Sequence, residues 1–367
     1  MSVWILTAAV GLLAGIASFA LTPWIRKAAH AFGLVDRPGA HKQHAGRPAL
    51  FGGAAIFAAT WGLVFLGLTA TGVAWVLGTL DRFLGDFAGD VRNISRVGVA
   101  LALLFFGSLL SALWGALDDL WPGGLSAAPK LAGQFLAAIV TVAGGAHCQF
   151  LPGGFWINAI ASVVWIVLVI NAFNFIDNMD GLCAGVALVS SAVLLFLALL
   201  QRQYFMGLLL ASFLGATAGF LRFNFPPASI FLGDLGSHVI GHFLGAVTLL
   251  LSYTAGAGEA TLAVLMPPVV LALPLLDLVR VSVIRIREHR PIWVGDRRHL
   301  SHRLRRDVGS DRAVVIRLYL LASCLGGNAL LLQGAAAWQG ALVGFQTLCL
   351  GALVWLLLDG SRPKAHS

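Results

Sequence analysis

The chain has 367 residues, 59% hydrophobic and 11% charged, with a mean hydropathy of +0.88. That composition excludes a soluble globular protein, and its repeated apolar segments of about 20 residues imply an all-α, polytopic membrane protein. The net charge of +8 is concentrated in loops, so it reports topology and anionic ligands rather than nucleic-acid binding. The four cysteines, at 148, 183, 324 and 349, have neither metal-site nor disulfide spacing and read as small apolar residues.

The first apolar segment, 3–21, has no basic start. It is followed by Pro23 and Arg26-Lys27 rather than by a small-residue cleavage site, so it is expected to be a retained span with its N-terminus outside. A polar loop over 26–48 leads to span 2 at 51–68. An outer loop over 71–98 follows, in which some of 73–84 is able to form an interfacial helix. Span 3, 99–117, ends directly on Asp118-Asp119, and a short Gly- and Pro-bearing turn returns the chain into span 4 at 130–144. Spans 5 and 6, at 155–170 and 183–200, flank a polar island, and span 7 covers 204–220. An inner loop over 222–237 precedes span 8 at 238–253. Span 9, at 262–283, contains Pro267, Pro268 and Pro274, which are able to break it. A basic loop over 285–312 leads to spans 10 and 11, at 315–331 and 340–358.

This layout has about 11 spans, with the N-terminus outside and the C-terminus cytoplasmic. It places 19 of the 24 Lys and Arg residues on the inner side and four outside, with Arg317 inside span 10. One membrane-embedded domain over 1–367 is expected, with active-site loops near 23–50, 118–130, 171–182, 222–237 and 285–312. Asp36, His41, His44, Asp118, Asp119, Asp177, Asp180, Asp234, Asp296, His299 and His302 all fall on that inner face. Carboxylates and histidines drawn from several loops to one surface suit an enzyme that meets a soluble, charged substrate.

The polar island is Asn171-Ala-Phe-Asn174-Phe-Ile-Asp177-Asn-Met-Asp180-Gly-Leu182. If helicity continues, Asp177 and Asp180 share a face, and two half-buried like charges require a counter-charge, a proton or a metal. Asp118-Asp119 offers one carboxylate to a cation and another to a nucleophile or water; an ordinary charge step at a span end is the alternative. Asp234, between Gly233 and Gly236 at a helix start, suits phosphate approach, with a plain helix cap as the alternative. Carboxylates set around phosphate repel it without a divalent ion, and oxygen-only ligands suit Mg²⁺ or Mn²⁺ better than zinc. In the basic loop, His299 and His302 are spaced to clasp a pyrophosphate, while the Arg run also reads as an inner-leaflet anchor.

The chain resembles the polyprenyl-phosphate N-acetylhexosamine-1-phosphate transferases, the membrane superfamily that includes phospho-N-acetylmuramoyl-pentapeptide transferase. Five blocks carry the resemblance in order. The first is Gly33-Leu-Val-Asp36-x-Pro with His41-Lys42-x-His44 and Gly52-Gly53. Asp118-Asp119, the island Asn171 to Leu182, and Gly233-Asp234-x-Gly236-Ser237 follow, and Asp296-Arg-x-His299-x-x-His302-Arg303-Leu is the last. The resemblance implies transfer of a hexosamine 1-phosphate, GlcNAc-1-phosphate on this branch, from a UDP-sugar to undecaprenyl phosphate. UMP is released, Mg²⁺ is required, and the product initiates cell-envelope polysaccharide or teichoic-acid type polymers.

By the same resemblance, Asp234 and Asp118 are metal ligands, and the Asp118-Asp119 pair includes the base beside the lipid phosphate. His44, Asn174, Asp177, Asp180, His299, His302 and Arg303 form the substrate-binding set. Direct attack by the lipid phosphate is favoured over a phosphosugar-enzyme intermediate. The bacterial inner membrane is the implied location, with the active site facing the cytoplasm. A homodimer is admitted without being required by any residue. Two positions depart from the family pattern: Ser301 replaces the first of a histidine pair, and Leu235 stands where Ser is common.

Muramoyl-pentapeptide transfer is the alternative within the superfamily. Outside it, a cation-coupled transporter predicts midplane charges and inverted repeats, whereas these charges sit at span ends and no repeat is evident. A CDP-alcohol phosphotransferase would need a spaced Asp-Gly/Ala-Arg pattern that the chain lacks.

Overall fold

The computed structural model describes residues 3–35, 48–79, 94–148, 154–253, 265–292, 298–332 and 337–359. The helices α1 (Val3–Ala31), α2 (Gly53–Val76), α3 (Ile94–Leu120), α4 (Ala127–Ala143) and α5 (Gly154–Ile176) form the first half. They are followed by α6 (Leu182–Leu200), α7 (Tyr204–Asn224), α8 (Gly233–Leu250) and the single turn and a half of α9 (Met266–Val270). The chain closes with α10 (Ala272–Arg287), α11 (Leu300–Val308), α12 (Asp311–Leu331) and α13 (Ala337–Asp359).

Seven helices among the described residues are long and apolar enough to cross a bilayer, α1, α2, α3, α5, α6, α7 and α12, fewer than the eleven expected. The expected span 4 is the 17-residue α4, and span 9 is broken at Leu271 into α9 and α10 beside its prolines. The expected span 8 is α8, whose apolar character is interrupted by Asp234, His238 and His242. Its interior position explains that sequence: Leu235 through Thr248 are buried without a break, so the helix meets neighbours rather than lipid. It packs on α3 and α5 most extensively, and also on α2, α4 and α6.

At the periphery α1 lies along α7. Gly11 and Gly15 meet Ala211, Gly215 and Gly219 backbone to backbone, the small-residue packing that substitutes for a hydrophobic drive within lipid. Trp4, Leu12, Leu13 and Phe19 on the same helix are exposed, as a lipid-facing surface requires. Helix α1 also runs past the expected loop start at 26, with Pro23 inside it and Lys27 lying 5.3 Å over the Trp24 ring.

Short backbone pairing ties the first block to the fourth. Ala49 bridges Val35 on one side and Ile230 on the other. The N–H groups of Gly52 and Gly53 donate to the carbonyls of Phe231 and Leu232 at 2.9 and 3.0 Å. Beyond this pairing, a Cβ on Gly53 would lie 2.0 Å from Gly236 Cα, so α2 and α8 start in backbone contact.

Candidate active site

The end of α3 and the start of α8 share one carboxylate. Asp119 Oδ1 accepts the backbone N–H of Asp234 at 3.0 Å and its Oδ2 accepts that of Leu235 at 3.1 Å. An anion on the unpaired N–H groups of a helix N-terminus satisfies donors that have no intrahelical partner and complements the helix dipole. Gly233 makes the approach feasible: its φ is 77°, and a Cβ there would lie 2.6 Å from Asp119 Oδ2.

Held this way, Asp234 presents its side chain to two other helices. Its Oδ2 meets Lys130 Nζ of α4 at 2.6 Å, and its Oδ1 accepts Asn174 Nδ2 of α5 at 2.8 Å. Lys130 Nζ also meets Asp118 Oδ2 at 2.5 Å, and Asp118 Oδ1 accepts the Leu125 backbone N–H at 2.5 Å. Asn174 Nδ2 lies 3.0 Å from Ser237 Oγ. Asp118 and Asp234 thus share a single ammonium group, Asp119 lies behind them on the α8 backbone, and the cluster is net negative.

A second cluster begins at the next residue of α5. Phe175 lies edge-on to His299, with ring centroids 5.9 Å apart, and Arg285 sits 5.1 Å over its face. His299 Nδ1 bonds Asp277 Oδ2 of α10 at 2.7 Å, and Asp277 Oδ1 accepts the Leu300 N–H at 2.9 Å. One buried carboxylate therefore orients the imidazole and caps α11. His302 follows within α11, its ring centroid 6.4 Å from that of His299. Ser301 donates to Asn178 Oδ1, which fastens α11 to the polar island. Asp180 Oδ2 accepts the Ala228 N–H at 2.8 Å, and Gly181 is held through Asn224 Oδ1 at 3.1 Å and the Tyr319 hydroxyl at 2.5 Å.

Asp118, Asp119, Asn174 and Asp234 are thereby gathered into one cluster, and His299 and His302 into its neighbour. Asp177, Asp180 and Arg303 are half-buried. Asp177 and Asp180 do not share a helical face, because α5 ends at Ile176 and residues 177–181 form a turn before α6. That turn spends Asp180 on the backbone of the 225–230 loop. His44, with Asp36, His41 and Asp296, lies outside the described residues. Two central groups belong to no sequence block. Lys130 stands where the expected loop 118–130 meets span 4, and Asp277 lies within the expected span 9, where an acid is itself a signal of function.

Among the described residues no three of His, Cys, Asp or Glu converge as a ready metal cage. Asp119 is turned to backbone N–H groups, and Asp118 and Asp234 meet through Lys130. Two convergent carboxylates fit Mg²⁺, which takes one or two from the protein and completes its shell with water and substrate phosphates.

Residues 101–252 match glycosyl transferase family 4. The chain is 33% identical over 339 residues to a decaprenyl-phosphate N-acetylglucosaminephosphotransferase of Mycolicibacterium smegmatis, covering 85% of this chain and 79% of the relative. It is 28% identical over 333 residues to a probable undecaprenyl-phosphate N-acetylglucosaminyl 1-phosphate transferase of Bacillus subtilis, covering 89% and 84%. Against the undecaprenyl-phosphate alpha-N-acetylglucosaminyl 1-phosphate transferase of Escherichia coli K12, identity is 26% over 327 residues, covering 84% and 79%. Similarity of this extent, running through the helices that assemble the carboxylate cluster, means that the chain belongs to the polyprenyl-phosphate N-acetylhexosamine-1-phosphate transferases of glycosyl transferase family 4.

Proposed function

We propose that this protein transfers N-acetylglucosamine 1-phosphate from UDP-N-acetylglucosamine to undecaprenyl phosphate, releasing UMP, as the first step of a cell-envelope polysaccharide or teichoic-acid type polymer. The observation that carries this reading is the convergence of Asp118 and Asp234 on one cation position between α3, α4 and α8. The relatives' shared N-acetylglucosamine specificity supports the donor. A phosphate oxygen of the lipid attacks the phosphorus that bears the sugar. The new P–O bond forms as the bond from that phosphorus to the UMP oxygen breaks, and UMP leaves with the electron pair.

Phosphoryl transfer of this kind needs positioning and charge stabilisation more than covalent chemistry from the protein. The net-negative cluster would repel both substrates unless a divalent ion joined it. Asp118 and Asp234 would hold Mg²⁺, which would supply charge neutralisation for the phosphates. Lys130 donates to phosphoryl oxygens that gain charge, and Asn174 keeps Asp234 in its rotamer. Asp119 fixes the Asp234 backbone, and the Asp118-Asp119 pair takes any proton still on the acceptor phosphate. On the other side, His299, His302 and Arg303 receive donor phosphates, and Asp177 and Asp180 belong to the nucleotide-sugar side. His44 completes the substrate-binding set.

The site faces the cytoplasm of a bacterial inner membrane in this proposal, with the N-terminus outside and the C-terminus inside. The excess of Lys and Arg in the loops that carry the site supports that orientation. The deciding experiment supplies purified protein with undecaprenyl phosphate and a panel of UDP-sugars, with Mg²⁺ or with chelator. UMP release that needs lipid, metal and UDP-N-acetylglucosamine is expected. Release with UDP-N-acetylmuramoyl-pentapeptide alone would replace the donor, and release unaffected by chelator would remove the metal.

A further inference from the structure

Directly beneath the carboxylate cluster, the same three helices meet again through polar side chains. Lys130 and Gln134 are four apart on α4, Asp234 and His238 four apart on α8, and Asn171 and Asn174 three apart on α5, so each pair lies one above the other on its helix. The outer members are the Lys130–Asp234–Asn174 contacts already described. The inner members are joined as well: Asn171 Nδ2 donates to Gln134 Oε1 at 2.6 Å, and Gln134 Nε2 lies 3.4 Å from His238 Nε2. The Gln134 carbonyl is taken by Asn171 and its amide can only donate, so His238 Nε2 is the acceptor.

One turn deeper, His242 spans α3 and α4. Thr141 donates to the Ala137 carbonyl at 3.1 Å and accepts from His242 Nε2 at 2.8 Å, while His242 Nδ1 lies 3.1 Å from Ser108 Oγ. Gln134, His238 and His242 are fully buried.

This arrangement is a poor way to stabilise helices in lipid. Interhelical hydrogen bonds there are individually weak. The Gln134–His238 contact is also long, at 3.4 Å. What the inner layer does supply is register. A slide of one residue moves a helix about 1.5 Å along its axis and turns its side chains by about 100°. Such a slide would take Asn174 off Asp234, and it would also move Gly241 of α8 away from its backbone contact with Ile170 of α5. Directional bonds among Gln134, Asn171 and His238 act against it together with that close packing.

We propose that Gln134 and His238 are positioning residues for the reaction, holding α5 against α4 and α8 in the register in which Asn174 reaches Asp234. The inference rests on the reading of Asp234 and Lys130 as the reaction centre. It requires that loss of Gln134 be felt through the Asn174–Asp234 contact.

The test measures kcat and KM for UMP release in lipid nanodiscs for Gln134→Leu and His238→Leu, each alone and combined with Asn174→Ala. Each single variant is expected to lose at least about tenfold in kcat, with KM for both substrates within about threefold, as misplacement of reacting groups does. In the Asn174→Ala background the further loss should be under about twofold. An equal fold loss in both backgrounds, or an unchanged kcat, overturns the proposal.

A variant with Gln134→Leu, Asn171→Leu and His238→Leu together leaves none of the Gln134 bonds half-made, so it should melt close to the parent while keeping the low kcat. Full activity in that variant would also overturn the inference. If the parent releases no UMP from any UDP-sugar, the assigned reaction fails, and the structure of the triple variant decides the positioning role by itself. Asn174 displaced from Asp234 supports that role; Asn174 Nδ2 still 2.8 Å from Asp234 Oδ1 refutes it.

Discussion

Asp119 and Asp234 are bound through the backbone of one and the side chain of the other: the Asp119 carboxylate accepts the Asp234 N–H at 3.0 Å and the next N–H, of Leu235, at 3.1 Å. One carboxylate of the cluster thus sets where the helix carrying another begins. Asp119→Ala removes the cap, at a cost of about 1 kcal/mol in stability, and frees the backbone beneath Asp234. We expect a lower melting temperature together with at least about a tenfold loss of UMP release, measured in parallel on the same preparation.

Lys130 is the only ammonium between Asp118 and Asp234 among the described residues. Lys130→Met leaves the two carboxylates to repel one another and removes a donor to phosphoryl oxygens. Steady-state UMP release should fall by about 10²-fold or more, and raising Mg²⁺ should not restore it.

Gly53 has no room for a methyl group, since its Cβ would lie 2.0 Å from Gly236 Cα. Both partners are backbone, so the strain cannot be relieved by a rotamer change. Gly53→Ala should destabilise the protein by about 1–3 kcal/mol, seen as an earlier thermal transition, and should impair transfer because the strain falls at the start of α8.

Asp277 divides its oxygens between His299 Nδ1 and the Leu300 N–H. Asp277→Asn retains a carbonyl for the backbone cap but loses the carboxylate that orients the imidazole. The melting temperature should change little, while donor KM rises or kcat falls by about tenfold or more, as resolved by varying UDP-sugar at saturating lipid.

Ser301 donates to Asn178 Oδ1 and so acts as a strut between α11 and the polar island. Ser301→Ala should cost about 1 kcal/mol of stability and leave kcat within about threefold of the parent. A loss as large as that of Asp277→Asn would instead place the Ser301 hydroxyl on substrate.

The sequence by itself determined the membrane class, because length and apolar content leave few other solutions, and it singled out the acidic and histidine blocks, because such residues are costly beside a bilayer. Asp118, Asp119, Asn174 and Asp234 were all legible in this way. The division of span 9 was legible as well, since its prolines remove backbone donors from a helix. Periodicity could not show that α8 is enclosed by other helices and therefore tolerates His238 and His242, nor that α5 stops at Ile176 and turns Asp180 toward Ala228. Only the tertiary structure decided the pairings. Lys130 reads in the chain as one more positive charge, and Asp277 as an isolated acid in an apolar run. Their roles arise from partners 104 and 22 residues away, brought within hydrogen-bond reach by helix packing that hydropathy does not encode.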